Sequence, residues 1–264
     1  MPSAAHDRAY DAAMPTAVAL DLDGVLWLDA QPIPGAAEAV AQLRRAGRRV
    51  GFVTNNSYAT VETVESKLRA MGVEPDGGVL TSAQAAATLV PAGARAVVCG
   101  GPGIVEALTA RGVEVVPEGP ADVVLVGFDW AFDYDRLRIA VTAVRGGAEL
   151  IGTNDDPTYP GPDGPLPGGG ALLAAVVTAS EQTPRIAGKP HEPMAALVRD
   201  RLGTDGIMVG DRPSTDGGFA TTLGWPFGLV LSGVTAASDL PVEPTPAIVA
   251  PDLAALAVEL LGGS

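Results

Sequence analysis

Two aspartates, Asp21 and Asp23, follow the apolar run at residues 18–20, and Gly24 comes directly after them. Apolar residues that end in acids are typical of an interior parallel strand whose carboxyl end carries polar groups, the position where open α/β sheets bind ligands. We expect the two carboxylates to point to opposite sides of the strand end and to perform different chemistry. Gly24 permits the sharp turn that leads the chain away from them.

A calcium-binding loop is the first alternative, because it also uses Asp-x-Asp followed by glycine. Such a loop needs an oxygen ligand at its fifth position and a glutamate at its twelfth. Counted from Asp21, those positions hold Val25 and Pro32. The spacing therefore argues against a calcium loop, and a pair of solvated aspartates in a turn stays open as the alternative to a reactive site.

Three further polar segments stand where apolar strands end or helices begin. They are Thr54-Asn55-Asn56-Ser57, Gly188-Lys189-Pro190 and the segment from Gly210 to Asp216. If the strands are neighbours in one parallel sheet, these polar ends meet at one edge of it. The alternatives are a polar helix cap for the first segment and a surface lysine before a turn for the second.

Composition limits the class of protein. The chain has 264 residues, 47% of them hydrophobic and 18% charged, which excludes disorder, and no apolar run approaches the length of a membrane span. A net charge of −14 argues against nucleic acid and anionic lipid as partners. The single cysteine, Cys99, cannot form an internal disulfide. We expect a cytoplasmic protein with neither a nucleic-acid nor a membrane partner.

Strand-like and helix-like stretches alternate along most of the chain, which predicts an α/β fold with a Rossmann-like parallel-sheet core. Residues 1–16 are expected to be a flexible lead-in. We predict that residues 17–91 and 185–264 form the core and that residues 92–184 form an inserted α/β cap domain. Residues 155–170 are rich in proline and glycine and are predicted to be a loop that contacts something.

Taken in order, the four segments resemble the four motifs of the haloacid dehalogenase superfamily of phosphatases. The quoted matches are Asp21-x-Asp23-Gly24, Thr54-Asn55-Asn56, Gly188-Lys189-Pro190 and Gly210-Asp211-Arg212-x-x-Thr215-Asp216. The residues of these motifs resemble those of the NagD-like, nitrophenyl-phosphatase and phosphoglycolate-phosphatase subgroup, which carries a large cap between the second and third motifs. Thr153-Asn154-Asp155-Asp156 also resembles that subgroup's cap pattern. One departure is Gly217-Gly218-Phe219, where the subgroup commonly has an aliphatic residue.

The resemblance implies a hydrolase acting on phosphoric monoester bonds, with a role for each motif residue. It implies that Asp21 attacks phosphorus to form an aspartyl-phosphate, and that Asp23 protonates the leaving group and then activates water. Side-chain metal ligation is implied for Asp21 and Asp211, with Asp23 binding through its backbone carbonyl and Asp216 as a second-shell or alternate ligand. The residues implied to hold the phosphoryl oxygens are Thr54, Asn55, Asn56 and Lys189.

Charge determines the predicted cofactor. The four motif aspartates contribute −4 if ionised and Lys189 contributes +1, which leaves −3 before a substrate dianion arrives. A unit pair near 4 Å is worth about 4 kcal/mol at an effective dielectric of about 20, so an anion would be repelled. A divalent cation is required, and all-oxygen ligands favour Mg²⁺. Lys189 is one of only two lysines, with Lys67, in a chain that otherwise uses arginine.

The predicted function is therefore Mg²⁺-dependent hydrolysis of a small phosphorylated metabolite. Substrates typical of the resemblance are phosphoglycolate, glycerol phosphate, pyridoxal phosphate, nucleoside monophosphates and nitrophenyl phosphate. In the cap, Asn154 and Asp156 are candidates for choosing the substrate, whereas the roles of Trp130 and His191 stay open. Two other classes are a phospho-accepting signalling module and a non-catalytic phosphate-binding relative. The cap surface is a possible homodimer interface.

Overall fold

In the computed structural model of the chain, residues 15–161 and 164–262 are described, so the lead-in predicted for residues 1–16 lies outside the described residues except for Pro15 and Thr16. The strands are β1 (Ala17–Leu20), β2 (Trp27–Leu28), β3 (Gln31–Pro32), β4 (Arg49–Thr54), β5 (Val79–Thr81), β6 (Arg95–Cys99), β7 (Glu114–Val116), β8 (Val123–Val126), β9 (Glu149–Gly152), β10 (Thr158–Gly161), β11 (Gly164–Pro167), β12 (Arg185–Ile186), β13 (Gly206–Gly210), β14 (Phe227–Val230) and β15 (Ile248–Ala250). The helices are α1 (Ala36–Arg45), α2 (Val61–Ala70), α3 (Ser82–Thr88), α4 (Pro102–Thr109), α5 (Tyr134–Arg145), α6 (Gly169–Ser180), α7 (Glu192–Leu202), α8 (Gly218–Leu223) and α9 (Leu253–Leu260).

The first sheet is parallel and has the strand order β15-β14-β13-β1-β4-β5 among the described residues. Its members come from both ends of the chain, before residue 82 and after residue 205. β1 lies between β13 and β4, so three of the predicted polar segments follow adjacent strands. The predicted α/β class with a parallel-sheet core is confirmed.

The second sheet is also parallel, with the order β12-β9-β8-β6-β7. All of its strands lie between β5 and β13 in the chain, and β6, β7, β8 and β9 lie within residues 92–184, the stretch predicted to be an insert. β12 pairs with β9 at residues 185–186, just past the predicted boundary at residue 185. We call the chain segment that carries this sheet the insert.

Apolar clusters lie on both faces of the first sheet, as the side-chain alternation of a strand requires. Ala17 and Ala19 belong to one cluster, and Val18 and Leu20 belong to the other. All four residues of β1 are buried. The carboxyl end of β1 therefore opens at the middle of the sheet edge, with packed side chains on both sides of it.

The prediction of a loop at residues 155–170 is wrong for most of that stretch. β10 and β11 form an antiparallel hairpin in which Tyr159 lies opposite Leu166. Each strand pairs only with the other among the described residues, so each has a free edge where proline, which lacks an N–H, is tolerated. The prolines that indicated a loop are compatible with this short ribbon.

Across residues 15–161 and 164–262, we find no helix that combines the length and the apolar character needed to cross a membrane.

Candidate active site

The polar segments meet at the carboxyl edge of the first sheet. A cavity of about 510 Å³ opens there, and its lining includes the predicted residues of the first sheet together with Asn154 and Asp156 of the insert. Every residue that the sequence assigned to the site lines this cavity, namely Asp21, Asp23, Thr54, Asn55, Asn56, Asn154, Asp156, Lys189, Asp211 and Asp216. The cavity is therefore lined by residues of the insert as well as by residues that follow strands of the first sheet.

Lys189 lies at the centre of the site and is 2% exposed. Its Nζ donates to Asp21 Oδ1 at 2.8 Å and to Asp216 Oδ1 at 2.7 Å. Burial alone would lower the pKa of Lys189, but the two carboxylates raise it above its ordinary value. The ammonium group is therefore charged at neutral pH and tied to both acids.

Three carboxylates form a cluster around this ammonium group. One oxygen each of Asp21, Asp211 and Asp216 lies within 4.8 Å of the others. Burial, followed by the nearby charge of Asp216, raises the pKa of Asp211 to about 6. Burial also raises the pKa of Asp21 well above its ordinary value; Lys189 opposes this shift, while the other two carboxylates add to it. Negative charge in this cluster is undercompensated by the protein alone.

This donor set fits a hard divalent cation. Carboxylate oxygens are the ligands that Mg²⁺ and Ca²⁺ prefer, and three of them lie within 4.8 Å of one another here beside a single ammonium group. Asp216 belongs to the cluster alongside the two predicted side-chain ligands. The Asp23 side chain does not belong to it among the described residues, so only its backbone remains as a candidate ligand.

Backbone geometry allows the carboxylates to approach so closely. Gly24 has a φ of +80°, and a Cβ atom at this position would collide with the Asp211 carboxylate. Asp211 Oδ2 accepts a hydrogen bond from Val234 N–H at 2.6 Å. A π-helical turn at Pro213–Gly217 carries Asp216, whose Oδ2 accepts from Arg212 N–H at 3.1 Å. The fourth motif therefore holds both of its acids through backbone contacts.

Asp21 and Asp23 have different partners, as expected, but strand alternation is not the reason. Residues two apart share one face of a strand, so the predicted opposite orientation had the wrong physical basis. β1 ends at Leu20, and the chain turns after it, with Leu26 N–H donating to Leu22 O at 2.9 Å. Asp23 Oδ1 accepts from Trp27 Nε1 at 2.8 Å instead of joining the carboxylate cluster.

The second motif departs from the predicted use of its amides. Asn55 Nδ2 donates to Asp156 Oδ2 at 2.8 Å and to Lys189 O at 2.9 Å, while Asn55 Oδ1 accepts from Lys189 N–H at 2.8 Å. Both amide protons are in use, so the side chain of Asn55 positions Lys189 and is not a free phosphate donor. Asn56 Oδ1 accepts from Tyr58 N–H at 3.0 Å, and the buried Thr54 hydroxyl accepts from Asn56 N–H at 3.0 Å.

The insert contacts the site through the two residues that the sequence singled out. Asn154 Nδ2 donates to Asn55 O at 2.9 Å, and Asp156 accepts from the Asn55 amide. Burial raises the pKa of Asp156, and the hydrogen bond from Asn55 opposes this shift. His191 Nε2 lies 3.0 Å from Asp155 Oδ2. Both predicted insert residues therefore hold the insert against the second motif.

Aromatic side chains form a further part of the cavity lining. Phe128 contacts Trp130 and Tyr159 edge to face, with ring centroids 4.7 Å and 5.1 Å apart, and Tyr58 lies 6.0 Å from Phe128. Trp130 is 66% exposed at the cavity mouth. The Tyr159 hydroxyl is buried and has no hydrogen-bond partner within the part of the chain that the structure describes. We call these four side chains the aromatic wall.

Sequence reasoning missed three contributors to the site: Trp27, Tyr58 and Val234. Val234 donates its backbone N–H to Asp211, and a backbone contact of this kind cannot be predicted from the residue type. Tyr58 follows the second motif closely, and its position beside the polar run was an available signal. Trp27 stands four residues after Asp23, within reach of it across one turn.

Comparisons with known proteins match this architecture. A sequence profile of haloacid dehalogenase-like hydrolases matches residues 18–114, and a HAD-hydrolase-like profile matches residues 186–256. D-glycerol 3-phosphate phosphatase of Mycobacterium tuberculosis is 36% identical over 229 residues, or 83% of this chain and 64% of that protein. The chain thus spans just under two thirds of that relative's length. Acid sugar phosphatase of Staphylococcus haemolyticus is 37% identical over 205 residues, or 75% of this chain and 78% of that protein.

A solved structure supports the same relationship. The crystal structure of glycerol phosphate phosphatase from Mycobacterium tuberculosis in complex with magnesium superposes with a TM-score of 0.85 and 34% identity, covering 92% of this chain and 76% of that one. A further structure of that protein is in complex with calcium. The chain therefore belongs to the haloacid dehalogenase-like hydrolases. Neither a signalling module nor a silent binding relative is favoured by these matches.

Proposed function

We propose that the chain is a Mg²⁺-dependent phosphatase that hydrolyses a small phosphate monoester through an aspartyl-phosphate on Asp21. The observation that carries the proposal is the buried Lys189 ammonium group between Asp21 and Asp216, next to the undercompensated carboxylate of Asp211. Such a site combines a nucleophile, fixed positive charge and oxygen ligands for a cation. Phosphoryl transfer requires these components together.

Asp21, Asp211 and Asp216 offer the carboxylates that would hold Mg²⁺, with the Asp23 carbonyl as a further candidate. When bound, Mg²⁺ supplies positive charge that offsets the phosphoryl oxygens and the clustered acids. Lys189 contributes a second, permanent positive charge beside the nucleophile, because its pKa is raised by the acids it contacts. Its hydrogen bond to Asp21 Oδ1 also orients that carboxylate.

The reaction proceeds in two displacements at phosphorus, and Asp21 and Asp23 supply the nucleophile and the acid–base group. In the first, a bond forms between an Asp21 oxygen and phosphorus while the ester P–O bond breaks, and Asp23 gives its proton to the departing alcohol oxygen. In the second, water attacks phosphorus, the Asp21–phosphorus bond breaks, and Asp23 takes the proton from water. The separation of Asp23 from the carboxylate cluster supports this division, since its side chain is bonded to Trp27.

The transferring group is held by Lys189 and by the second motif. Thr54, Asn55 and Asn56 all line the cavity. The Asn55 side chain supports this arrangement indirectly by fixing the backbone of Lys189 at both its N–H and its carbonyl group.

The leaving group of the substrate lies toward the aromatic wall and the insert. Phe128, Trp130 and Tyr159 offer ring surfaces, and the Tyr159 hydroxyl offers an unused polar group. Glycerol phosphate, sugar phosphates and nitrophenyl phosphate are the first substrates to test, because relatives are named for the first two and the third gives a coloured product. Phosphoglycolate, pyridoxal phosphate and nucleoside monophosphates complete the panel.

The remaining predictions are also proposals. We propose that residues 92–184 act as a cap over residues 17–91 and 185–264, and that the cap surface is where a homodimer would form. A cytoplasmic location is supported by cysteine usage, since the single cysteine, Cys99, is buried. No nucleic-acid or membrane partner is proposed, in keeping with the net charge of −14.

Release of inorganic phosphate from the panel, with Mg²⁺ or with EDTA, tests the proposal. Wild-type protein should turn over at least one substrate many times and only with a divalent cation. Asp21→Asn should lower kcat by at least about a thousandfold, because it removes the nucleophile. Asp200→Asn is the matched control, since Asp200 is an exposed aspartate on α7 that does not line the cavity. Equal activity of Asp21→Asn and Asp200→Asn would refute the proposal.

A further inference from the structure

Trp27 contacts Asp23 through its indole nitrogen in the wall of the cavity. Trp27 is 3% exposed, and its Nε1–H donates to Asp23 Oδ1 at 2.8 Å. The backbone joins the same two residues, because Asp23 and Trp27 form an isolated β-bridge and Gly24 N–H donates to Trp27 O at 2.8 Å. The indole and the carboxyl group are therefore fixed relative to each other by main chain as well as by side chain.

Lys67 fixes the indole from its ring face. Its Nζ lies 4.0 Å from the centroid of the Trp27 ring and donates to Asp29 O at 2.9 Å. An ammonium group over an indole face is attracted by the ring quadrupole. Each of the two lysines of the chain is therefore linked to one aspartate of the first motif. Lys189 donates directly to Asp21, whereas Lys67 lies over the Trp27 ring, which donates to Asp23.

The chemistry of the indole N–H determines which oxygen of Asp23 can carry a proton. Indole Nε1–H is a donor only. Asp23 Oδ1 accepts this bond, and a proton on the same oxygen would compete with it for the same lone-pair region. Since the carbonyl oxygen of a carboxylic acid is the better acceptor, the indole favours the form of Asp23 that carries its proton on Oδ2.

We propose that Trp27 is a positioning residue that orients the Asp23 carboxyl group and directs its proton to Oδ2, where the leaving group of the substrate receives it. The inference rests on the proposed function, in which Asp23 protonates the departing alcohol. As the ester P–O bond breaks and the Asp21–phosphorus bond forms, the proton passes from Asp23 Oδ2 to the ester oxygen. Asp23 is left as a carboxylate that still accepts from the indole.

Leaving-group selectivity distinguishes this role from a merely structural one. Nitrophenolate departs without a proton, whereas the alkoxide of glycerol needs one, so a misplaced acid penalises glycerol phosphate selectively. The measured quantity is kcat/KM, because it includes the steps through departure of the alcohol and leaves out hydrolysis of the shared aspartyl-phosphate. A general structural defect would lower kcat/KM for both substrates by the same factor.

The test compares Trp27→Phe, which keeps an apolar ring but lacks the N–H group, with wild-type protein. General acid catalysis is worth about 10²–10⁴-fold, and we expect loss of its positioning to lower kcat/KM about tenfold or more for glycerol phosphate and less than about threefold for nitrophenyl phosphate. The matched control is Trp225→Phe, because Trp225 is buried and its Nε1 donates to Thr204 O at 2.9 Å, outside the cavity lining. This control loses an equivalent hydrogen bond and should change both substrates equally or not at all.

Lys67→Met provides a second variant at a partly exposed position, in case Trp27→Phe does not fold. It should shift the selectivity in the same direction by about twofold to fivefold, and Lys67→Arg should restore the wild-type ratio. Three outcomes would overturn the inference. The ratio of the two kcat/KM values is unchanged in Trp27→Phe, or that ratio shifts in Trp225→Phe as much as it does in Trp27→Phe, or Trp27→Phe does not fold and the ratio is unchanged in Lys67→Met. The proposed function fails separately, if wild-type protein releases phosphate from neither substrate nor any other member of the panel.

Discussion

Replacing Lys189 by methionine tests the electrostatic reasoning about the site most directly. The substitution keeps the approximate length of the side chain and removes its charge. Lys189 is fully enclosed and contacts two acids at 2.8 Å and 2.7 Å, so Lys189→Met leaves Asp21 and Asp216 without their shared counter-charge. Removing one partner of a buried ion pair destabilises a protein by about 3–5 kcal/mol, because the remaining charge is uncompensated.

The expected change in thermal stability follows from that energy. For a chain of this size about 1 kcal/mol lowers Tm by about 2–4 °C, so the metal-free variant should lose roughly 6–20 °C near pH 8. The loss should shrink as the pH falls. Burial and neighbouring acids raise the pKa of Asp21 in the folded protein, so folding favours its protonated form; the resulting stability is present below the ordinary aspartate pKa of about 3.9 and is lost as the pH rises through the folded value.

Differential scanning calorimetry in EDTA, at several pH values, measures this effect. The control is Lys67→Met, because Lys67 is only partly buried and its removal leaves no enclosed charge; we expect a loss of Tm within about 4 °C. Equal losses in the two variants, or a loss in Lys189→Met that is the same near pH 5 as near pH 8, would refute the description of Lys189 as the essential counter-charge of the site.

Two further variants test the cluster and the aromatic wall. Asp211→Asn should raise the Tm of the metal-free protein above about pH 6 but not below about pH 4, because burial and Asp216 raise the Asp211 pKa to about 6 and its ionisation opposes folding. The same variant should lose the stabilisation by Mg²⁺, which for wild-type protein reaches about 2.7 kcal/mol at a concentration of about 100 times Kd; a gain in Tm that persists at low pH contradicts the assigned cause. Trp130→Ala should lower kcat/KM for nitrophenyl phosphate about threefold to tenfold through lost ring contact, whereas Tyr134→Ala, at an exposed aromatic outside the cavity lining, should leave it unchanged; equal effects would exclude a role for the wall.

The meeting of three of the four segments was predictable, because parallel strands place their carboxyl ends on one edge. The expectation that all four follow strands of one sheet was wrong for the Lys189 segment, which follows β12 of the second sheet. Asp21 and Asp211 follow the adjacent strands β1 and β13, so short apolar runs that end in acids were sufficient to bring them together. Lys189 was identified by its residue type in an arginine-rich chain. Its contact with Asp21 depends on the long-range fold and was supplied by the resemblance.

Other features of the site depend on partners that lie far away in the sequence. The Asn55 amide donates hydrogen bonds to Lys189 and Asp156, which are 134 and 101 residues away in the chain. Partners at such distances cannot be predicted from the local sequence. The hairpin of β10 and β11 was not predicted, because prolines usually mark loops. Its prolines are tolerated because each strand of a two-stranded hairpin has one edge without a partner strand. The hydrogen bond from Trp27 to Asp23 was missed, although the two residues are only four positions apart.

The amide of Asn55 has a consequence for anyone who wishes to build chimaeras from this protein. One of its protons goes to Asp156 of the insert and the other goes to the main chain of Lys189, while its oxygen receives the Lys189 N–H. A foreign insert grafted between β5 and β13 would bring no guaranteed acceptor for that first proton. A graft designed from this architecture therefore has to carry the Asn55–Asp156 pair as one unit, or the hydrogen bonds that hold the Lys189 main chain change together with the insert.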